Sequence, residues 1–159
     1  MPCWQFQECL SDIIFVLDQS VKCSEDLEMI RQSLAIMAML VGMVDIASGS
    51  TRVGLITYSS KIDKTFDLNA ESAVCSIEET ITSLEHVEGK TDTAAALEHV
   101  RTKMLTSEAG DRSDIHNVVV VVTDGHSKDK QATKVRIGCM VLVGTVGTLQ
   151  GQAFDQGVS

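Results

Sequence analysis

The chain has one proline in 159 residues and its 11 glycines are scattered, so no stretch reads as a linker and a single domain is expected. Internal repeats, low-complexity tracts and blocks of like charge are also missing. The longest apolar run, Ile36 to Ile46, is broken by Gly42 and Asp45. It falls well short of the ~20 residues that a bilayer requires, so membrane insertion is not expected. Met1-Pro2-Cys3-Trp4 shows no basic segment leading into an apolar one, the pattern of a secretory leader. The expected context is therefore a piece of a longer secreted chain or, alternatively, a cytoplasmic protein. Basic residues are scarce, 13 Lys and Arg against 22 Asp and Glu, for a formal net charge of -9. Such a surface repels phosphate backbones and anionic lipid. Nucleic acid and membrane are disfavoured as partners, and a cation or a basic protein surface is favoured.

No C-x-x-C spacing joins the five cysteines, Cys3, Cys9, Cys23, Cys75 and Cys139, so neither a zinc site nor a redox pair is indicated. The odd count leaves at least one thiol free or shared with another chain. By topology Cys23 follows the first strand, whereas Cys9 and Cys139 precede strands and Cys75 follows an antiparallel one. Cys23 is therefore expected at the opposite end from the other three, unpaired with them.

Hydrophobic residues make up 44% of the chain, enough for one well-buried core. Asp12-Ile13-Ile14-Phe15-Val16-Leu17-Asp18 reads as a buried parallel strand. A helix follows, with Ser24 as N-cap, Glu25, Asp26 and Glu28 near its positive end, and a stripe of Leu27, Ile30, Leu34, Met37, Val41 and Val44. Its methionines are read as core filler. Arg52 to Tyr58 gives a second strand, and Lys61 to Leu68 its antiparallel partner at a sheet edge. Val74, Ile77, Ile81 and Leu84 mark one helix, and Ala94, Leu97, Val100 and Met104 the next. Five consecutive valines between Asn117 and Thr123 form a central strand. A short helix over Lys128 to Arg136 and a strand from Cys139 to Gly144 complete the pattern. The fold class is α/β: a doubly wound, mostly parallel sheet with one antiparallel edge strand and helices on both faces.

In such sheets ligands bind outside the carboxyl ends of the parallel strands. Three loops bring short oxygen-bearing side chains there: Asp18 and Ser20, Thr91 and Thr93, and Asp124. Two carboxylates with two or three hydroxyls suit octahedral Mg²⁺ or Mn²⁺ better than zinc or copper. Two decoys fail. Glu88-Gly89-Lys90-Thr91 lacks the glycine of a phosphate loop, since Leu84 stands five residues before Gly89. Ser20 and His126 lack the Gly-x-Ser-x-Gly elbow of a hydrolase, so no enzyme is expected.

Asp18-Gln19-Ser20-Val21-Lys22, Gly89-Lys90-Thr91-Asp92-Thr93 and Val122-Thr123-Asp124-Gly125 resemble, in order, the three segments of the metal-ion-dependent adhesion site of von Willebrand factor A domains. Arg52 to Ser60 resembles that family's second strand. The nearest flavour is that of collagen type VI and matrilin A domains. The resemblance implies an A domain over residues 11–147, a lead-in over 1–10 and an irregular tail over 148–159. It implies an adhesion module of the extracellular matrix, with a protein ligand such as a collagen bound through an acidic residue; the alternative is an intracellular scaffold. Asp18, Ser20, Thr91 and Asp124 would hold the cation, with Gln19, Lys22, Asp92, Gly125 and His126 facing the partner.

Lys22 departs from the family pattern Asp-x-Ser-x-Ser, standing where a second serine is expected. At ~4 Å and an effective dielectric of ~20, an ammonium repels a doubly charged ion by roughly 8 kcal/mol. Two versions of the site follow: a weakened ion with Lys22 turned outward, or the ammonium between Asp18 and Asp124 in place of the ion. The family fold normally continues with another strand and a closing helix, which the sequence from Thr148 does not supply. An exposed sheet edge and an uncovered apolar face are expected.

Overall fold

A computed structural model describes residues 10–21, 24–70, 74–84, 87–88, 90–123 and 143–145. Within them, β1 (Ser11–Asp18), β3 (Thr51–Tyr58), β6 (His116–Thr123) and β7 (Val143–Thr145) run parallel, and β4 (Ile62–Phe66) is antiparallel to β3. The order across the sheet is β4-β3-β1-β6-β7, with β1 central. A separate two-residue ladder pairs β2 (Ser20–Val21) with β5 (Val87–Glu88).

Alternation along β1 sorts its side chains onto two cores, as a strand buried on both faces requires. Phe15 and Leu17 pack under the helices α1 (Ser24–Met43) and α2 (Val74–Ser83), with Ile30, Leu34, Met37, Val41, Ile77 and Ile81. Ile14 and Val16 face the other way, onto Ala96 and Leu97 of α3 (Thr93–His99). The helical turn continues as a π-helix over Val100–Met104, whose wider winding keeps Val100 and Met104 buried on the same core. Gly54 lies where β3 meets this layer. A Cβ there would stand 3.4 Å from both Leu68 N and Met104 Cε, in van der Waals contact with both.

One expectation about α1 is corrected. Met37 is core, but Met39 and Met43 are 59% and 75% exposed, beside Ile36 and Leu40. At ~100° per residue, Met39 stands on the side of the helix away from Met37, so the apolar run feeds two faces of which one meets the sheet. The helix expected over Lys128 to Arg136 lies outside the described residues, as do Cys3, Cys9, Cys23 and Cys139. Cys75, in the first turn of α2, is exposed and, among the described residues, free.

At the start of β1, Asp12 is fully buried against Arg112. The guanidinium donates to Asp12 Oδ1 from Nε (2.9 Å) and Nη2 (2.6 Å), and the Arg112 amide donates to Oδ2 (2.9 Å). Its remaining protons reach the carbonyls of Ser11, Gly49 and Ser50. This one side chain joins β1, the α1–β3 loop and the approach to β6 at the amino end of the sheet.

Candidate functional site

The opposite end of β1 carries the second buried aspartate, Asp18, 6% exposed. The chain turns there, and the turn closes on its own carboxylate: Ser20 N and Ser20 Oγ both donate to Asp18 Oδ1, at 3.0 and 2.6 Å. Thr123, the last residue of β6, donates from Oγ1 to Asp18 Oδ2 at 2.8 Å. That bond fixes the carboxylate plane, leaving Oδ1 toward the loops.

The third loop arrives from 71 residues away. Thr91 Oγ1 lies 2.6 Å from Ser20 Oγ. A serine hydroxyl has one proton and Ser20 gives it to Asp18, so the Thr91 hydroxyl is the donor in this contact. The result is a chain from Thr91 to Ser20 to Asp18, whose last bond has the length typical of a charge-assisted hydrogen bond to a carboxylate. The β2–β5 ladder sets Ser20 against Val87, four residues before Thr91, and so aligns the two loops. Ser20 and Thr91 are 6% and 3% exposed.

This donor set fits a hard divalent cation: one carboxylate and two hydroxyls, converging from separate loops. In an octahedral site with ~2.1 Å bonds, neighbouring oxygens stand about 3 Å apart, so the 2.6 Å contacts need open by only about 0.4 Å to become edges of a coordination shell. Among the described residues no three of His, Cys, Asp and Glu gather into a softer or more acidic metal group. Asp124, the second expected carboxylate, and Lys22, Gly125 and His126 lie outside the described residues.

Two residues expected to face the partner also make hydrogen bonds within the fold. Gln19 is 4% exposed, and its amide donates to Tyr58 O at 2.8 Å, so it is tucked into the turn and not presented outward. Asp92 is half-buried and caps α3, its Oδ1 accepting from Ala95 N at 3.1 Å. Thr93, grouped with the site oxygens by sequence, is turned instead to the Tyr58 phenol, 3.0 Å away. Thr123 was not singled out from the sequence. As the residue before Asp124 at a strand end it had a positional signal, but its hydroxyl reads as an ordinary strand threonine.

The family model of the von Willebrand factor type A domain matches residues 12–153, and the chain belongs to that family. It is 33% identical to the collagen alpha-4(VI) chain of Mus musculus over 122 residues, 76% of this chain and 5% of that one. Against matrilin-1 of Mus musculus the identity is 31% over 123 residues, 75% of this chain and 24% of that protein. The chain thus spans a small part of these relatives' length. Among solved structures, proximal thread matrix protein 1 of the mussel byssus, with a zinc-occupied MIDAS motif, superposes with a TM-score of 0.72 at 21% identity, covering 85% of this chain and 37% of that one. That likeness supports the fold.

Proposed function

We propose that this domain is a protein-binding module of the adhesion and extracellular-matrix type and not an enzyme. It takes its partner at the carboxyl end of the parallel strands, with divalent-cation dependence weakened or lost through Lys22. The observation that carries the reading is the Ser20 hydroxyl, 2.6 Å from both Asp18 and Thr91, which joins two loops 71 residues apart into one hard-oxygen cluster. Membership of the A-domain family and similarity to a collagen chain and a matrilin support the matrix assignment and an extracellular location within a longer chain. A collagen or another matrix protein is the partner class, engaging through an acidic side chain.

Asp18, Ser20, Thr91 and Asp124 would hold Mg²⁺ or Mn²⁺, which would supply an electrophilic centre for the partner's carboxylate. Lys22, Asp92, Gly125 and His126 would border it. Lys22 stands where a hydroxyl ligand belongs, and its charge competes with the ion for the same carboxylates. Calorimetric titration of Mg²⁺ and Mn²⁺ into the wild type and Lys22→Ser tests this. The variant is expected to bind at least tenfold more tightly; equal affinity would remove Lys22 from the account, and no uptake by either would remove the cation.

The intracellular scaffold reading is favoured by the odd number of cysteines and the exposed thiol of Cys75, free among the described residues, which a reducing compartment tolerates better than an oxidising one. A secretory leader in the full-length gene would eliminate it.

A further inference from the structure

We propose that Tyr58 is a positioning residue for the cluster, setting Thr91 against Ser20 without contributing an oxygen to that contact; this rests on the cation-site reading above. Tyr58 ends β3 and is 1% exposed. Its carbonyl accepts from Gln19 N at 2.8 Å, in the turn between Asp18 and Ser20. The next carbonyl, that of Ser59, accepts from Asp92 N at 3.1 Å, directly after Thr91. The phenol then meets Thr93 Oγ1 at 3.0 Å, with Thr93 itself 2% exposed. The last residue of β3 and the one that follows it therefore hold the chain on both sides of the Ser20–Thr91 contact.

The two backbone bonds do not depend on the side chain at position 58, and the phenol bond does. Tyr58→Phe keeps the ring in its core among Ile14, Val16 and Leu97 and removes only the oxygen. Thr93 then loses the bond that ties the first turn of α3 to β3, and Thr91 is left with a wider range of positions relative to Ser20.

Two measurements on the whole chain test this. Amide hydrogen exchange by NMR should be about fivefold faster at Asp92 and Ala95 in Tyr58→Phe, the fold-change that corresponds to a net hydrogen bond of about 1 kcal/mol, with Phe15 and Val120 unchanged. Acceleration at all four, or at none, overturns the proposal, because a packing role alone would act uniformly or not at all. In the second, Mn²⁺ is titrated into Lys22→Ser with and without Tyr58→Phe, and the double variant should bind about fivefold more weakly. Unchanged affinity also overturns the proposal. If Lys22→Ser takes up no Mn²⁺, the cation reading falls and the exchange data alone decide whether the phenol holds the Thr91 loop.

Discussion

The two ends of β1 carry the same residue in different chemistry. Asp12 and Asp18 are both buried, six residues apart on one central strand. Asp12 is met by a guanidinium whose donors also reach the carbonyls of Ser11, Gly49 and Ser50, so that charge is neutralised and the polar groups around it are satisfied together. Asp18 accepts from the Ser20 amide and from the hydroxyls of Ser20 and Thr123, which reach it from two segments of the chain. A carboxylate buried with an arginine is an anchor. One that accepts from hydroxyls of other segments stands among the hard oxygens that the proposed cation site would use. On the proposed reading, the strand holds the fold at one end and presents a ligand at the other.

The sharpest test of this contrast is to remove the cation from the anchored end. Arg112→Ala leaves Asp12 buried without its counter-charge, and the expected loss is about 3–5 kcal/mol of unfolding free energy, read as a lower denaturant midpoint at unchanged slope. Asp18→Asn should cost about 1 kcal/mol or less, because the hydroxyls of Ser20 and Thr123 can reverse from donor to acceptor and satisfy an amide. In the Lys22→Ser background the same Asp18→Asn change should abolish Mn²⁺ uptake. If Asp18→Asn destabilises as much as Arg112→Ala, the contrast breaks, and the upper carboxylate is a structural anchor like the lower one.

Much of this was legible from residue spacing. β1, β3 and β6 follow from β-branched runs bounded by polar turns, and the edge position of β4 from its nearness to β3. The Asp18, Ser20 and Thr91 loops follow from the rule that ligands gather at the carboxyl ends of parallel strands, and the structure brings these three together. The Arg112–Asp12 pair was not legible, because its partners are 100 residues apart and neither sits in a motif. The β2–β5 ladder, two residues on each side, is too short to leave a periodic signal. The Gln19 bond to Tyr58 O and the Asp92 cap of α3 are not legible, because spacing along the chain does not say which way a turn residue points. Met39 and Met43 were placed inward because a continuous apolar run in a helix hides which of its faces meets the core.

The smallest predicted effect belongs to the lower end. Asp45 follows α1 and is exposed, and its carboxyl is held below its ordinary value of 3.8 by a side-chain hydrogen bond with Ser48 and then by the Ser48 amide, with slight desolvation opposing. A group whose folded pKa is depressed stabilises the fold fully above its unfolded value, and that contribution fades as pH falls through the folded one. A small component of thermal stability should therefore be fully present at neutral pH and be lost as the pH falls below about 4. Ser48→Ala removes the larger cause, so the Asp45 carboxyl resonance in an NMR titration should move back toward 3.8. The loop that this bond shapes contains Gly49 and Ser50, whose carbonyls receive the Arg112 guanidinium. If Asp45 in the wild type already titrates at 3.8 or above, the loop is looser in solution than the anchor requires. Arg112 would then rest on Asp12 and Ser11 alone, and the expected cost of Arg112→Ala would sit at the lower end of its range.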